Sequence, residues 1–276
     1  MEYRELLIPY AIHLLYFVGV VYLVGFLIYL LNRLFYKLLG GGRFVCYTTG
    51  LIGTPIHELS HALMCLFFGH RIVEMRLFRV DGKSGTLGYV THSYHKSNLY
   101  HVLGNYFIGT APILVGTAVL CLAMRLLLPE AFGSFRAYLE DFADWQQMGY
   151  VPEQLLGVGA VFISFLTALA SAAGTWHFWV FVALAFCVSI HMNLSGADIL
   201  GSLGALPMIG VLLALCHAIL YFVFEGAYGG MVRGLNVAGA YLAGVLMLSL
   251  SLSLMSVVLA FVIWLIKRPF IRSSRH

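Results

Sequence analysis

The chain has 276 residues, of which 61% are hydrophobic and only 10% are charged, and its mean hydropathy is +0.90. A composition this apolar excludes an ordinary soluble domain and is typical of an integral membrane protein. The formal net charge of +4 is modest and comes from the loops and the C-terminal end. It therefore bears on orientation in a bilayer and gives no indication of nucleic-acid binding.

Two apolar runs open the chain. Residues 11–31 are long enough to cross a bilayer and follow acidic residues, which predicts a retained transmembrane helix and no cleaved signal peptide. His13, near the end of this run, is expected at the membrane interface. Residues 44–68 form the second run, after a Gly-Gly-Gly turn at 40–42. Pro55 within it predicts either a locally opened turn or a proline tolerated through neighbouring hydroxyl groups.

The stretch from residue 69 to residue 104 breaks the helical pattern. Polar and apolar residues roughly alternate over 71–80, Asp81-Gly82 is a turn signal, and residues 86–91 again favour a strand. The pattern predicts a β-hairpin over residues 70–92, with a plain extramembrane loop as the alternative. A hairpin here would offer a strand edge to an extended peptide.

A third span and an acidic segment follow. Residues 106–128 are apolar, and the small residues 109–112 near their start are expected to pack closely against the second helix. Residues 129–153 are acidic and predict an extramembrane segment with a short amphipathic helix. Residues 155–190 are too long for one straight span, and the Ala-Ala-Gly-Thr sequence at 172–175 is a candidate break.

Two more spans are predicted at residues 206–224 and 237–266. The expected fold class is an all-α polytopic membrane protein with about six transmembrane helices and a small β-hairpin after the second helix. It forms a single membrane domain, 1–276, with a core at 44–201 and C-terminal helices at 202–276.

The sequence His57-Glu58-Leu59-Ser60-His61 lies inside the second apolar run. Residues four apart share one face of a helix, so both imidazoles can reach one metal ion, and Glu58 is placed to accept a proton from water. This H-E-x-x-H spacing is the pattern of zinc hydrolases. The alternative is an interior set of two histidines and a glutamate that satisfy one another. Ionisable groups in an apolar helix are costly, which favours a site.

A catalytic zinc site needs a third protein ligand, and Asp198 is the best candidate. It is the only acid between Glu153 and Glu225, in a stretch that is otherwise membrane-like. The alternative role for Asp198 is a cap of the helix that follows it. His191 and His177 are the competing ligands.

The other histidines near the hairpin and the cysteines are not expected to bind metal. The cysteines are scattered within apolar stretches, in an odd number and without paired spacing, which argues against a disulfide framework or a cysteine-based zinc site. The histidines have no accompanying acid and are expected to be solvated in a loop. The residues are Cys46, Cys65, Cys121, Cys187, Cys216, His92, His95 and His101.

The intramembrane H-E-x-x-H, the β-like segment after it, and Asn193 and Asp198 on a later stretch together resemble the site-2 protease family of intramembrane zinc metalloproteases. The resemblance covers roughly residues 44–201. It departs from the family's Asn, Pro, Asp-Gly pattern, because Ser195-Gly196 stands where proline is usual and Ile199 follows the acid.

The resemblance implies the roles of the site residues. His57, His61 and Asp198 would bind one zinc ion per chain, with Glu58 as the general base. Asn193 would hold substrate or the oxyanion. The implied activity is hydrolysis of peptide bonds in membrane-embedded or membrane-proximal protein substrates.

The protein is predicted to lie in the bilayer of a prokaryotic cell membrane. The basic C-terminal end predicts a cytoplasmic C-terminus, with residues 70–104 also inside and the acidic residues 129–153 outside. The expected partner is a transmembrane protein substrate, with no nucleic acid. Two other functions stay open: a metal-handling membrane transporter, which would need more than one metal site, and a non-catalytic membrane partner protein of the same fold.

Overall fold

In a computed structural model that describes residues 4–39, 43–79, 87–147 and 152–273, helices make up 86% of the described residues. One two-stranded antiparallel sheet accompanies them. In chain order the helices are α1 (Arg4–Leu14), α2 (Val20–Leu38), α3 (Arg43–Phe67), α4 (Leu99–Leu127), α5 (Pro129–Gln147), α6 (Pro152–Ser171), α7 (Trp176–His191), α8 (Gly196–Leu203), α9 (Leu206–Val223) and α10 (Glu225–Ser273). The strands, between α3 and α4, are β1 (Arg71–Arg76) and β2 (Tyr89–Ser93).

Several helices are long and apolar enough to cross a membrane. Within the described ranges there are four: Arg4–Leu38, Leu99–Leu127, Leu206–Val223 and Glu225–Lys267. The bent pair formed by α6 and α7 makes a fifth if it counts as one span. The expected count of about six is not confirmed, and α3 is the helix that falls outside this set. Its hydropathy is reduced by His57, Glu58 and His61.

The outer surface of the helices is strongly apolar. Large side chains such as Leu212 and Phe222 on α9 and Val258 and Phe261 on α10 are exposed. A surface with this many exposed large apolar groups suits a hydrocarbon environment and would be unfavourable in water. The structure is therefore compatible with an integral membrane protein.

The long apolar stretch before residue 191 breaks where the sequence predicts. A short 3₁₀ turn at Ala172–Gly174 separates α6 from α7, and the chain bends there by 118°. Thr175 then caps α7, since its side-chain oxygen accepts a hydrogen bond from the Phe178 amide.

The acidic segment after α4 folds as the amphipathic helix α5. Its apolar side chains Phe135, Tyr138 and Leu139 are buried, whereas Glu140 and Asp141 are exposed. The apolar face packs against α6 and α10.

The predicted β-hairpin is present. β1 and β2 pair antiparallel, with Arg71 opposite Ser93 and Arg76 opposite Tyr89, and an irregularity lies between Ile72 and Glu74. Because these two strands are paired, the alternative of a plain extramembrane loop is wrong. The expected turn at Asp81-Gly82 lies outside the described residues.

Three local predictions concern the helices. His13 is fully buried inside the protein, where its ring contacts His217 (2.9 Å between Nδ1 and Nε2) and Asn236 (3.0 Å between Nε2 and Oδ1), and its depth in the membrane stays a prediction. Pro55 leaves α3 continuous, so no opened turn forms there. The expected packing of α4 against α3 is present, and Gly109 itself lies against α8.

The core is built around α4, which is buried along most of its length. Ile113, Leu120 and Met124 on this helix are almost fully inaccessible and join side chains of α2, α5, α7 and α10 in one cluster. α3, α7 and α8 all contact α4 or one another near its first half. These helices and the hairpin enclose the site.

Candidate metal centre

α3 presents His57 and His61 on one face, one helical turn apart. Their Nε2 atoms lie 3.1 Å from each other, and the rings are 4.9 Å apart between centroids. Both side chains are largely buried. The i, i+4 spacing in the sequence therefore produces the predicted juxtaposition.

Two backbone carbonyls orient these imidazoles. The Nδ1–H of His57 donates to the carbonyl of His191 (2.7 Å), and that of His61 donates to the carbonyl of Ile108 (2.8 Å). A carbonyl can only accept, so each Nδ1 carries a proton, and in the neutral form of each ring the lone pair is then on Nε2. This is the arrangement in which a histidine is held ready for a metal ion by a second hydrogen bond.

Asp198 completes the group from α8. Its Oδ1 lies 3.4 Å from His61 Nε2, and its Oδ2 lies 3.9 Å from His57 Nε2. It also serves the alternative role that the sequence suggests. Ser195 is the N-cap of α8, its amide donates to Asp198 Oδ2 (2.7 Å), and the Asp198 amide donates to Ser195 Oγ (3.1 Å). The capping box fixes the carboxylate in place, so a role as a helix cap is compatible with a role as a metal ligand.

The three side chains fit a zinc ion. Zinc binds nitrogen and oxygen ligands at about 2.0–2.2 Å, and a tetrahedral arrangement then places neighbouring ligand atoms about 3.3–3.6 Å apart. The distances here, 3.1, 3.4 and 3.9 Å, bracket that separation. Two neutral imidazoles and a carboxylate are also the donor set of many catalytic zinc sites. The candidate ligands are thus those expected: His57, His61 and Asp198.

Glu58 lies where two cavities adjoin. It is buried, and it lines a cavity of about 320 Å³ beside α7 as well as one of about 330 Å³ beside the hairpin. His57, Gly88 and Ser195 also line both. The carboxylate of Glu58 therefore has access to space that water or a peptide can occupy next to the histidines.

Asn193 lines the cavity beside α7, and the structure adds a partner that the sequence did not indicate. Asn32 of α2, which is 1% exposed, donates from its Nδ2 to Asn193 Oδ1 (2.8 Å). The same Nδ2 lies 3.2 Å from the carbonyls of Ser189 and Ile190. Asn32 thus joins α2 to the segment that carries Asn193.

The two competing third ligands lie outside the group. His191 places its side chain between Thr49 (3.0 Å from Nε2) and Thr54 (3.4 Å from Nδ1), and it supports His57 only through its backbone carbonyl. His177 stacks on Trp176 at the other end of α7, fourteen residues and roughly 21 Å along the helix from His191.

Three glycines permit the close contacts of the site. A Cβ atom at Gly53 would lie 2.2 Å from the carbonyl oxygen of Cys187, one at Gly109 would lie 2.3 Å from that of Asp198, and one at Gly88 would lie 2.8 Å from Glu58 Cγ. Backbones can approach this closely only where no side chain intervenes. Small residues within the apolar runs indicate close packing of this kind, but they do not show which helix is the packing partner.

A second group of metal-ligand side chains was missed by the sequence analysis. Cys65, His70 and His92 offer ligand atoms within 4.8 Å of one another. Burial lowers the pKa of His92, as does the neighbouring His70 imidazole. Burial also lowers the pKa of His70, against the opposing effect of its hydrogen bond to the His101 carbonyl. Both rings are thus neutral near pH 7, the form that binds metal.

No protein-family model, no curated protein and no solved structure matches the chain. The function of the group at His57, His61 and Asp198 is therefore argued from its geometry and chemistry.

Proposed function

We propose that the protein is an intramembrane zinc metalloprotease that hydrolyses peptide bonds of membrane-embedded or membrane-proximal proteins. The observation that carries the proposal is the ligand triangle of His57, His61 and Asp198 beside the buried carboxylate of Glu58. Zinc held by these ligands would polarise the scissile carbonyl and lower the pKa of a water molecule next to it. The resemblance of residues 44–201 to the site-2 protease family points to the same activity.

Each residue has a defined task in this proposal. Glu58 accepts a proton from the attacking water and passes it to the leaving amine, as a general base and then a general acid. The carbonyls of His191 and Ile108 keep the two histidine rings in the tautomer that binds metal. Asn193, whose Oδ1 accepts a hydrogen bond from Asn32, donates hydrogen bonds from its side-chain amide to the substrate.

The substrate must present an extended backbone. A transmembrane helix hides its carbonyls in internal hydrogen bonds, so a cleavable segment has to unwind. Gly88, Tyr89 and Val90 of the hairpin line the cavity that holds Glu58. We propose that an unwound substrate pairs with the free edge of β2 there, because strand addition supplies backbone hydrogen bonds without a sequence requirement.

The membrane setting belongs to the same proposal. With the metal bound, the polar groups of α3 are satisfied within the protein, so α3 can cross the bilayer as a further span and bring the count to about six. We retain the cytoplasmic C-terminus and a prokaryotic cell membrane as predictions. Water then reaches Glu58 from the side on which the hairpin lies.

Metal content and cleavage measured together test the proposal. The full chain is purified with His57→Ala, Asp198→Ala and Glu58→Gln variants, and each is incubated with a panel of single-span membrane proteins in proteoliposomes. We expect the first two variants to hold about one zinc ion fewer per chain than the wild type, because each removes a ligand. Glu58→Gln should keep its zinc and lose cleavage by about 10²-fold or more.

Two outcomes would overturn the proposal. If the wild type binds zinc but Glu58→Gln cleaves as fast as the wild type, Glu58 is not the base. If His57→Ala and Asp198→Ala hold as much zinc as the wild type, the ligand assignment fails. His177→Ala is the matched control, because this histidine lies far from the group and its loss should change neither zinc content nor cleavage.

A metal-handling transporter is the second candidate, and one observation favours it. Such a protein needs more than one metal site, and the group of Cys65, His70 and His92 supplies further ligands. Zinc flux into proteoliposomes separates the two functions. A transporter would move zinc in the Glu58→Gln variant, whereas a protease would show no zinc flux in either form.

A further inference from the structure

A second cluster of metal-ligand side chains lies at the C-terminal end of α3, one helical turn beyond His61. It consists of Cys65 from the last turn of α3, His70 from the residue before β1, and His92 from β2. Cys65 is fully buried, His70 is 4% exposed, and His92 is half-buried. None of the three is a ligand in the candidate centre at His57, His61 and Asp198.

The end of α3 explains why Cys65 and His70 meet. Gly69 has a φ of +71°, a left-handed conformation that glycine adopts without strain. The His70 amide donates to the Cys65 carbonyl (2.8 Å), and the Gly69 amide donates to the Leu66 carbonyl (3.3 Å). This is the Schellman motif, which places the residue after the glycine over the last helical turn. A cysteine and a histidine occupy the two positions that usually make an apolar contact.

A backbone hydrogen bond fixes the ring of His70. Its Nε2–H donates to the carbonyl of His101 (2.8 Å), so Nδ1 carries the lone pair. The Nδ1 of His92 lies 3.0 Å from this atom. His70 is therefore held like the histidines of the first group, each of which donates one N–H to a carbonyl and turns its other nitrogen toward a second imidazole.

The hairpin register brings His92 to the cluster. His92 is the partner of Ile72 across the sheet, two residues from His70, and the strand irregularity begins directly after Ile72. The ring of Tyr94 stacks on His70 with centroids 4.9 Å apart and covers the cluster on another side. The three ligands thus come from a helix, its capping turn and a strand.

We propose that Cys65, His70 and His92 form a second metal site, of the zinc class. One thiolate and two imidazoles are the donors that zinc prefers among the common divalent cations, and three such ligands suffice for a tetrahedral ion with one further position. A bound ion would tie β2 to the end of α3. The residues just before His92, Gly88 to Val90, line the cavity at Glu58, so the second ion fixes the wall of the first site.

Zinc counting on the full chain tests the proposal. Wild-type protein, loaded with zinc under reducing conditions and desalted, should hold about two ions per chain, and Cys65→Ser and His92→Ala should each hold about one. The double variant His57→Ala/His61→Ala should also hold about one. Cys121→Ser and His95→Ala are matched controls, with a cysteine in another apolar helix and an exposed histidine near the hairpin, and should keep both ions.

Cobalt substitution identifies the ligand itself. Only the second site contains a thiolate, so Co²⁺ bound there gives a sulfur-to-cobalt charge-transfer band that the first site does not give. The band should be present in the wild type and in His57→Ala/His61→Ala, and absent in Cys65→Ser. This readout is separate from proteolysis, so failure of the second site and failure of the protease proposal are distinguishable.

A cluster that binds no metal would give a different and measurable result. In a cluster that binds no metal, the His92 Nδ1–H simply donates to His70 Nδ1, and Cys65 stays a buried thiol. Wild type and Cys65→Ser would then hold the same amount of zinc, and no charge-transfer band would appear, which would overturn the proposal. The zinc retained at the first site in Cys65→Ser shows that this variant is folded.

Discussion

Asn32 connects the segment that carries Asn193 to α2, a helix that contributes no candidate metal ligand. Its Nδ2 reaches Asn193 and two carbonyls, at Ser189 and Ile190, from a fully enclosed position on α2. Replacement by alanine leaves those acceptors without their donor, which costs about 1–3 kcal/mol for a buried polar group. The segment between α7 and α8 is therefore less well fixed when Asn32 is absent.

We expect Asn32→Ala to lower the rate of cleavage while leaving zinc content unchanged. Asn32 touches no candidate ligand, so the effect should come through the position of Asn193. Cleavage and zinc content are measured on the same preparations, with Asn193→Ala beside it. If Asn32→Ala cleaves at the wild-type rate, or if it loses zinc, then Asn32 does not act by positioning Asn193.

At the residue scale the sequence predicts what is local. His57, Glu58 and His61 follow from helical spacing, and Asp198 follows from the cost of an isolated acid in an apolar stretch. The supports of these residues are distant in sequence. The carbonyls of His191 and Ile108 and the amide of Asn32 carry no signal of their own, because every residue has a carbonyl and pairing depends on packing.

Contact between α4 and α8 sets the position of the third ligand. A Cβ atom at Gly109 would lie 2.3 Å from the Asp198 carbonyl oxygen and 2.7 Å from Ser202 Cβ. Real side chains do not approach so closely, so an alanine there must push α8 away from α4. Because α8 carries Asp198, the carboxylate would move away from His61.

We therefore expect Gly109→Ala to weaken zinc binding at the first site by about tenfold or more, the size of effect seen when supports of metal ligands are lost. Gly201→Ala is the matched control, since it lies on α8 with no heavy atom within 4 Å of the added carbon. Alanine there should preserve zinc affinity and stabilise the helix by up to about 1 kcal/mol. Equal zinc affinity in both variants would contradict the prediction. Affinity is measured by competition with a chelator.

At the element scale, the strands and the helix break were predicted more accurately than the packing partners of the helices. The hairpin follows from alternation and the break at Ala172–Gly174 from small residues in an overlong apolar stretch. The Schellman turn at Gly69 is equally local. The partner of Gly109 was not predictable, because a small residue permits close packing without specifying against which helix. The proximity of Cys65 and His92 was also missed, because it depends on how the two strands pair and the sequence does not show that register.

For the site to form, the chain must return to the depth at which His57 and His61 lie before it reaches Asp198. Asp198 lies 137 residues after His61 and yet 3.4 Å from it, near Ile108 in the first half of α4. α4 begins next to the hairpin and ends at α5, so the chain from α5 to α7 must return to the hairpin end of α4. We therefore expect the bent pair of α6 and α7 to make one net crossing despite its 118° angle.

This path predicts the sides on which three points of the chain lie. α4 has 29 residues and a length of roughly 44 Å, more than the hydrocarbon core of about 30 Å. Lys96 before α4 and Glu130 after it should therefore lie on opposite sides. With α9 and α10 each crossing once more, the C-terminus should share the side of Lys96, which is the predicted cytoplasmic side.

Labelling with a membrane-impermeant maleimide tests this arrangement in sealed vesicles of known orientation. Lys96→Cys and Glu130→Cys, both at exposed positions, are made in a Cys216→Ser background because Cys216 is the exposed native thiol in the described part of the chain, and a C-terminal epitope is probed by protease. Only one of the two cysteines should label from a given side, and both should label after solubilisation. A C-terminus on the side of Glu130 would mean that α6 and α7 form a re-entrant loop, because the chain would then cross one time fewer between Glu130 and its end.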